Sequence, residues 1–184
     1  MRIEKIRQNF GVAISFVHFP LHPETPEEGR TLESLFNCGS DEIAQKNEHM
    51  KGLMTGEGLP YGKRTHTYNS RLAQELASWA TSQPGGYQIH NALFQAYFVE
   101  GKNIAETSVL LQVAEETGLD VTEASGVLQS RSQKEAVDLD WSKSKQYGVT
   151  GVPTYVVGQT GIVGAQPYEA IEKMLVDAKV TRKQ

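Results

Sequence analysis

The sequence holds a single cysteine, Cys38, among its 184 residues. One cysteine closes no internal disulfide, so a disulfide-stapled secreted scaffold is excluded and a reducing cytoplasm is the expected compartment. Positive charge is not in excess either, since the formal net charge is −4. The chain therefore offers no global attraction to nucleic acid or to an anionic membrane, and neither is expected as a partner. No apolar run approaches the ~20 residues that span a bilayer. The segment MRIEKIRQNF is charged and amphipathic with no apolar centre, so it does not form a secretory signal. Repeats and low-complexity segments are missing as well. What is present is an ordinary globular composition, 39% hydrophobic, at a length that suits one domain or one domain with a sizeable insertion.

Residues 3–10 read as the end of a helix, with Ile3, Ile6 and Phe10 at helical spacing and Gly11 as the stop. Residues 12–19, VAISFVHF, are apolar and rich in β-formers between Gly11 and Pro20, which predicts a buried strand, parallel in its sheet. The stretch PLHPETPEEGR is a loop by its three prolines. From residue 31 to 132 the pattern is helical. A helix is expected after Ser40 as N-cap, followed by a loop over residues 54–66 with its Gly and Pro. Leu72, Ala73, Leu76, Trp79 and Ala80 share one helical face. His90, Leu93, Phe94, Tyr97 and Phe98 share another, and Val109, Leu110, Val113 and Ala114 a third that ends at Gly118. Thr122 caps a fourth, short helix. Residues 135–147 read as a further helix stopped by Gly148. A β-run from Val152 to Val157, turn residues 158–161 and then Ile162 and Val163 read as a hairpin. Tyr168, Ile171, Leu175 and Ala178 line a last helix.

The isolated chemistry-bearing residues carry little by themselves. His18 and His22 lack a third ligand nearby, and His49, His66 and His90 are scattered, so no metal site is expected. Tyr87, Phe94, Tyr97, Phe98 and Trp79 read as core aromatics. Gly56-Glu57-Gly58 is no phosphate loop, because no strand precedes it and no Lys-Ser/Thr follows. Glu24, Glu27 and Glu28 read as a solvated loop.

The order of elements together with several short motifs resembles the DsbA-like thioredoxin-fold oxidoreductases, within the subgroup called FrnE-like. Tyr147-Gly148-Val149-Thr150-Gly151-Val152-Pro153-Thr154-Tyr155 resembles that family's G-V-x-G-V-P-T-F loop. Phe19-Pro20-Leu21-His22-Pro23 resembles its P-F-x-L-N-P segment. Asn69-Ser70-Arg71-Leu72-Ala73-Gln74-Glu75-Leu76 resembles its N-T-x-x-A-H-R-L helix start, with Gln74 in place of the histidine. Leu93-Phe94-Gln95-Ala96-Tyr97-Phe98 and the residues to Ile104 resemble its L-F-x-A-Y-F-x-x-G-x-D-I run, with Asn103 for the aspartate, and Gly164-Ala165-Gln166-Pro167 its G-A-Q-P turn.

The resemblance implies an α/β thioredoxin-like fold, made of residues 1–30 and 133–184, with an inserted all-helical domain over 31–132. It implies a cis bond before Pro153 that exposes the backbone of Val152 to an extended substrate. Gly151, Val152, Pro153 and Thr154 are then the substrate-binding residues, with His18, Phe19, Asn69 and Gln74 lining the site. The partner is a thiol or disulfide substrate, protein or small molecule, and no cofactor is needed. Family members begin with a strand that ends in a Cys-x-x-Cys motif, and the resemblance implies that this strand lies between residues 12–19 and 154–157. Neither that strand nor the cysteine pair is in the sequence given, so the catalytic residues stay unknown and the chain as given is expected to be incomplete or inactive. Open apolar edges of that kind pair with other chains, which makes a homodimer one expected state. Two alternatives share the fold. The kappa glutathione transferases and the hydroxychromene carboxylate isomerases carry serine for the first cysteine and bind glutathione as cofactor. A non-catalytic module would bind extended peptides at Val152-Pro153.

Overall fold

The structure, a computed structural model, describes residues 2–183. Met1 and Gln184, the outermost residues of the expected domains, lie outside that range. The chain divides into two compact units, a discontinuous one formed by Met1–Leu21 and Leu139–Gln184 and a continuous one, His22–Asp138.

The continuous unit is helical because its apolar residues recur at helical spacing and bury one stripe per helix. Leu76 and Ala80 of α4 (Arg71–Ala80), Ile89 of α5 (Ile89–Phe94), Leu110 and Val113 of α6 (Thr107–Glu116) and Ala124 of α7 (Val121–Ser130) meet in one buried cluster. The unit also holds α2 (Leu32–Phe36) and α3 (Ser40–Gly56). It is not wholly helical. Arg30–Thr31 (β1) pairs antiparallel with His66–Thr67 (β2), Arg30 opposite Thr67. Two residues have no detectable period, so no local signal announces this pair. The cap before α3 is Gly39, with Ser40 already helical, and α3 continues through Gly56 into the stretch expected to be loop. Asp120, not Thr122, caps α7, its side chain accepting from the Glu123 amide. After α5 the chain widens into a π-helical turn, Gln95–Val99. There the Phe98 carbonyl accepts from the Gly62 amide at 2.9 Å, a partner outside the helix.

One charged residue is fully buried in this unit. Glu75 on α4 has no exposed surface and accepts from Arg71 Nε at 2.6 Å and from Arg131 Nε and Nη2 at 2.7 and 2.8 Å. Arg71 continues the network to Asp138 at 2.7 Å. Burial by itself pushes the Glu75 carboxyl up. The hydrogen bonds from Arg131 and Arg71 outweigh it and hold the carboxyl below the ordinary glutamate value.

The discontinuous unit is layered. α1 (Arg2–Asn9), Phe10 just after it and α9 (Tyr168–Asp177) bury Ile6, Phe10, Ile171, Met174 and Leu175 against one another. On this layer lies an antiparallel hairpin, β3 (Thr154–Val157) and β4 (Thr160–Val163), with Tyr155, Val157 and Ile162 facing the helices. Its turn is only Gly158-Gln159, since Thr160 and Gly161 already pair with Val157 and Val156. Gly158 has φ +60°, the left-handed value such a two-residue turn requires. α8 (Lys134–Gln146) ends at Gly148, also left-handed at φ +66°. The amides of Gly11 and Lys183 donate to Thr181 and Asn9 and tie the end of α1 to the C-terminal segment.

Residues 12–19 depart from expectation. Val12 and Ile14 do pack on the layer that holds Tyr155 and Val157, yet the segment forms no strand and pairs with none among the described residues. The reason is physical. β-forming side chains favour an extended backbone and an inward face, but a ladder also needs a neighbour about 4.8 Å away, and none lies beside this segment among the described residues. No described helix is long and apolar enough to cross a membrane.

Removing one partner of a buried ion pair leaves the other uncompensated. Glu75→Gln is therefore expected to lower the unfolding free energy by about 3–5 kcal/mol in urea denaturation at neutral pH. Because the folded carboxyl is held low, its contribution is present above the ordinary glutamate value and fades as pH falls through the lowered one. The gap between wild type and variant then narrows in acid. A gap below about 1 kcal/mol at neutral pH would mean the pair is solvated.

Candidate functional site

The candidate site is built where α8 gives way to β3. At the helix end Tyr147, Gly148 and Val149 donate their amides to Lys143, Lys145 and Ser144, which closes the last turn. Thr150 and Gly151 lead to Val152-Pro153, whose peptide bond is cis. The Thr154 hydroxyl donates to the Gly151 carbonyl at 2.7 Å, and the Gly164 amide donates to the Pro153 carbonyl at 2.7 Å. The loop is thus held at both ends, to itself and to the residue after β4. Val152, between these anchors, is 51% exposed. The whole stretch 146–168 contains no Asp, Glu, Lys, Arg or His, in a chain that is 22% charged.

Gly151, Val152, Pro153 and Thr154 stand together by sequence and share this loop. Phe19 lies on one wall of an open, mostly apolar hollow of about 570 Å³. Pro20, Trp141, Val149 and Thr150 line it too, with Lys145 as its only cation. His18 sits in the same unit. Its Nδ1 donates to Asp140 Oδ2 at 2.8 Å, and its backbone amide donates to the same oxygen at 3.0 Å. Its Nε2 is buried without a hydrogen bond. Asp140 therefore fixes both the ring and the main chain at the end of the extended segment. Asn69 and Gln74 belong to the continuous unit and make local contacts there. Asn69 donates to the Thr25 carbonyl at 2.6 Å and accepts from the Arg71 amide, and Gln74 donates to Ser70 Oγ at 3.1 Å.

Cys38, in the loop before α3, is no activated nucleophile. Burial and then the Glu42 carboxylate push its thiol up, with Lys46 pulling the other way, so the thiol form is favoured. Among the described residues no three His, Cys, Asp or Glu side chains group as a metal site. Sequence reasoning missed Asp140 and Trp141. Both lie on α8, but the pairing of Asp140 with His18 is a tertiary event with no local signal.

The profile of the DSBA-like thioredoxin domain matches residues 1–176. The uncharacterized protein YwbO of Bacillus subtilis is 32% identical over 116 residues, 61% of this chain and 56% of that protein. The chain spans about half the length of the curated relatives it matches. Among solved structures, a probable DsbA oxidoreductase from Streptomyces coelicolor superposes with a TM-score of 0.88 at 24% identity, covering 97% of this chain and 82% of that one. A 2-hydroxychromene-2-carboxylate isomerase superposes with a TM-score of 0.72 at 21% identity, covering 97% and 85%. At those identities both likenesses establish the fold.

If Asp140 is the anchor of the extended segment, Asp140→Ala frees the His18 amide. Hydrogen exchange there is expected to quicken about tenfold while the amides of α9 keep their protection. Unchanged exchange at His18 would show that another group holds the segment.

Proposed function

This chain belongs to the DSBA-like thioredoxin domain family, and from that premise we propose that it is the substrate-docking part of a thiol-disulfide oxidoreductase of the FrnE-like kind. The paired cysteines of that reaction lie outside the 184 residues, since Cys38 is the only cysteine here. In such an exchange a thiolate attacks one sulfur of the substrate disulfide and releases the other as thiolate. A second thiol then resolves the mixed disulfide, so two electrons pass from the enzyme's dithiol to the substrate. The reverse direction oxidises a substrate dithiol by the same bonds. The contribution of this chain is to present the substrate.

The observation that carries the reading is the loop itself. An apolar residue, Val152, is held half-exposed between two hydrogen-bonded anchors, directly before β3 and in a stretch without charge. A polypeptide laid along Val152 loses little in desolvation there. A glutathione-binding isomerase or transferase fits less well, since glutathione brings two carboxylates and the hollow beside the loop is lined by one cation, Lys145. The single cysteine favours, as a second reading, a module that docks polypeptides without catalysing exchange.

Insulin reduction by the full-length protein separates these readings. Dithiol-dependent turnover is expected, and Val152→Glu is expected to lower it about tenfold through weaker docking of the insulin chain. Turnover that persists after every cysteine other than Cys38 is changed to serine would overturn the oxidoreductase reading. Polypeptide docking with no turnover would select the non-catalytic module.

A further inference from the structure

α3 (Ser40–Gly56) meets the rest of its unit along one narrow line. Ile43 is its one buried residue, Met54 is half-buried, and Asn47 donates through Nδ2 to the Arg64 carbonyl at 2.8 Å. Helices in folded proteins are held mainly by a packed apolar face, and this one also carries a poor helix former, Gly52, in its interior. Beside the buried line runs a second stripe. Lys46, Met50, Leu53 and Glu57 stand at i, i+4, i+7 and i+11, which at 3.6 residues per turn places them within a sector of about 60°. Glu57 lies just past the helix end, its amide still bonded to the Leu53 carbonyl at 3.3 Å. All four are exposed, Met50 at 40% and Leu53 at 54%. Phe36, also exposed, extends the patch at one end, where the Lys46 ammonium lies 5.7 Å from its ring centre.

We propose that this stripe is an interface between two copies of the chain, paired antiparallel about a two-fold axis that passes between Lys51 and Gly52. The order along the stripe carries the proposal. It reads cation, apolar, apolar, anion, and that order is its own complement when reversed. In the antiparallel pairing Met50 of each copy meets Leu53 of the other, and each Lys46 meets a Glu57, the self-matching that a two-fold interface requires. A parallel pairing would set Lys46 on Lys46 and Glu57 on Glu57, so charge selects the closed two-fold form. Lys46 and Glu57 stand roughly 16 Å apart along the helix axis, with the two apolar residues between them, so both charged pairs close at the rim of one apolar contact.

The neighbouring charges do not oppose this register. Glu48 and Lys51 lie on the far side of the helix, more than about 90° from the stripe. Glu42 already pairs with Lys46 at 3.0 Å, which holds the ammonium beside the stripe, where the second carboxylate arrives. The contact is small. One helix pair with Phe36 at each end falls short of the roughly 1,200–2,000 Å² of stable interfaces, so a weak dimer is expected, with a Kd of about 10–100 μM. It uses no strand edge, unlike the dimer expected from open apolar edges.

Sedimentation velocity of the full-length protein from about 1 to 500 μM tests the proposal. Wild type is expected to pass from monomer to dimer across that range. Leu53→Lys, at an exposed position, is expected to weaken pairing about tenfold and to leave the melting temperature of the dilute protein unchanged. Lys46→Glu and Glu57→Lys are each expected to weaken it about fivefold, because each sets like charges together at both ends. Mixed in equal amounts, those two variants are expected to pair with each other as strongly as wild type does, since one then carries only acids and the other only lysines at the ends of the stripe. A protein that stays monomeric over the whole range overturns the proposal. A dimer that Leu53→Lys leaves intact places the interface elsewhere and overturns it too. So does a mixture that associates no better than either charge variant alone.

Discussion

The discontinuous unit depends on one apolar contact, the packing of α1 against α9. Ile6 and Phe10 on one side and Ile171, Met174 and Leu175 on the other are nearly or fully buried, each contributing about 1.5–3 kcal/mol by leaving water. Everything the unit presents outward is laid on this layer. The hairpin rests on it through Tyr155, Val157 and Ile162, and residues 12–14 through Val12 and Ile14. Because each strand alternates, fixing the inner face fixes the outer one too. A slip of one residue in β3 would bury Thr154 and Val156 and expose Tyr155 and Val157. The outer face of the hairpin is therefore specified by the core beneath it.

The site has the same economy. The loop from Gly148 to Pro153 is pinned by backbone closure at the end of α8, by the Thr154 hydroxyl and by the Gly164 amide. None of these pins uses a charge. A charged anchor would have needed a partner or solvent. Where a charge is enclosed it is paired, as in the Arg71–Glu75–Arg131 cluster of the other unit.

Much of this was legible in the sequence where the signal is local and periodic. The apolar spacings around Leu76, Val113 and Ile171 predict α4, α6 and α9, and glycines at 118 and 148 mark helix ends through the left-handed conformation they adopt. The hairpin follows from β-formers on either side of Gly158. The motif order gave the family and the thioredoxin-type fold with its helical insertion. What escaped has no local signature. β1 and β2 are too short to have a period. The caps of α3 and α7 fell on Gly39 and Asp120, each a residue or two before the one expected, since cap choice depends on which amides need a partner. The π turn at Gln95–Val99 comes with a contact from Gly62, more than thirty residues earlier in the chain. Residues 12–19 have strand chemistry and no ladder, because composition describes a strand while pairing needs a neighbour. In the site, Val152 and Pro153 were visible as a motif, but the hollow beside Phe19 and the Asp140 clamp arise only once the chain has folded.

The central claim is that this chain meets its substrate through the uncharged surface of the loop before β3. Hydrogen-exchange mass spectrometry of the chain with and without a saturating, permanently unfolded and uncharged client peptide tests it most directly. The account predicts new protection confined to residues 147–164, with exchange across α4 to α7 unchanged. Protection confined to α4 to α7, or none anywhere at saturation, would contradict it.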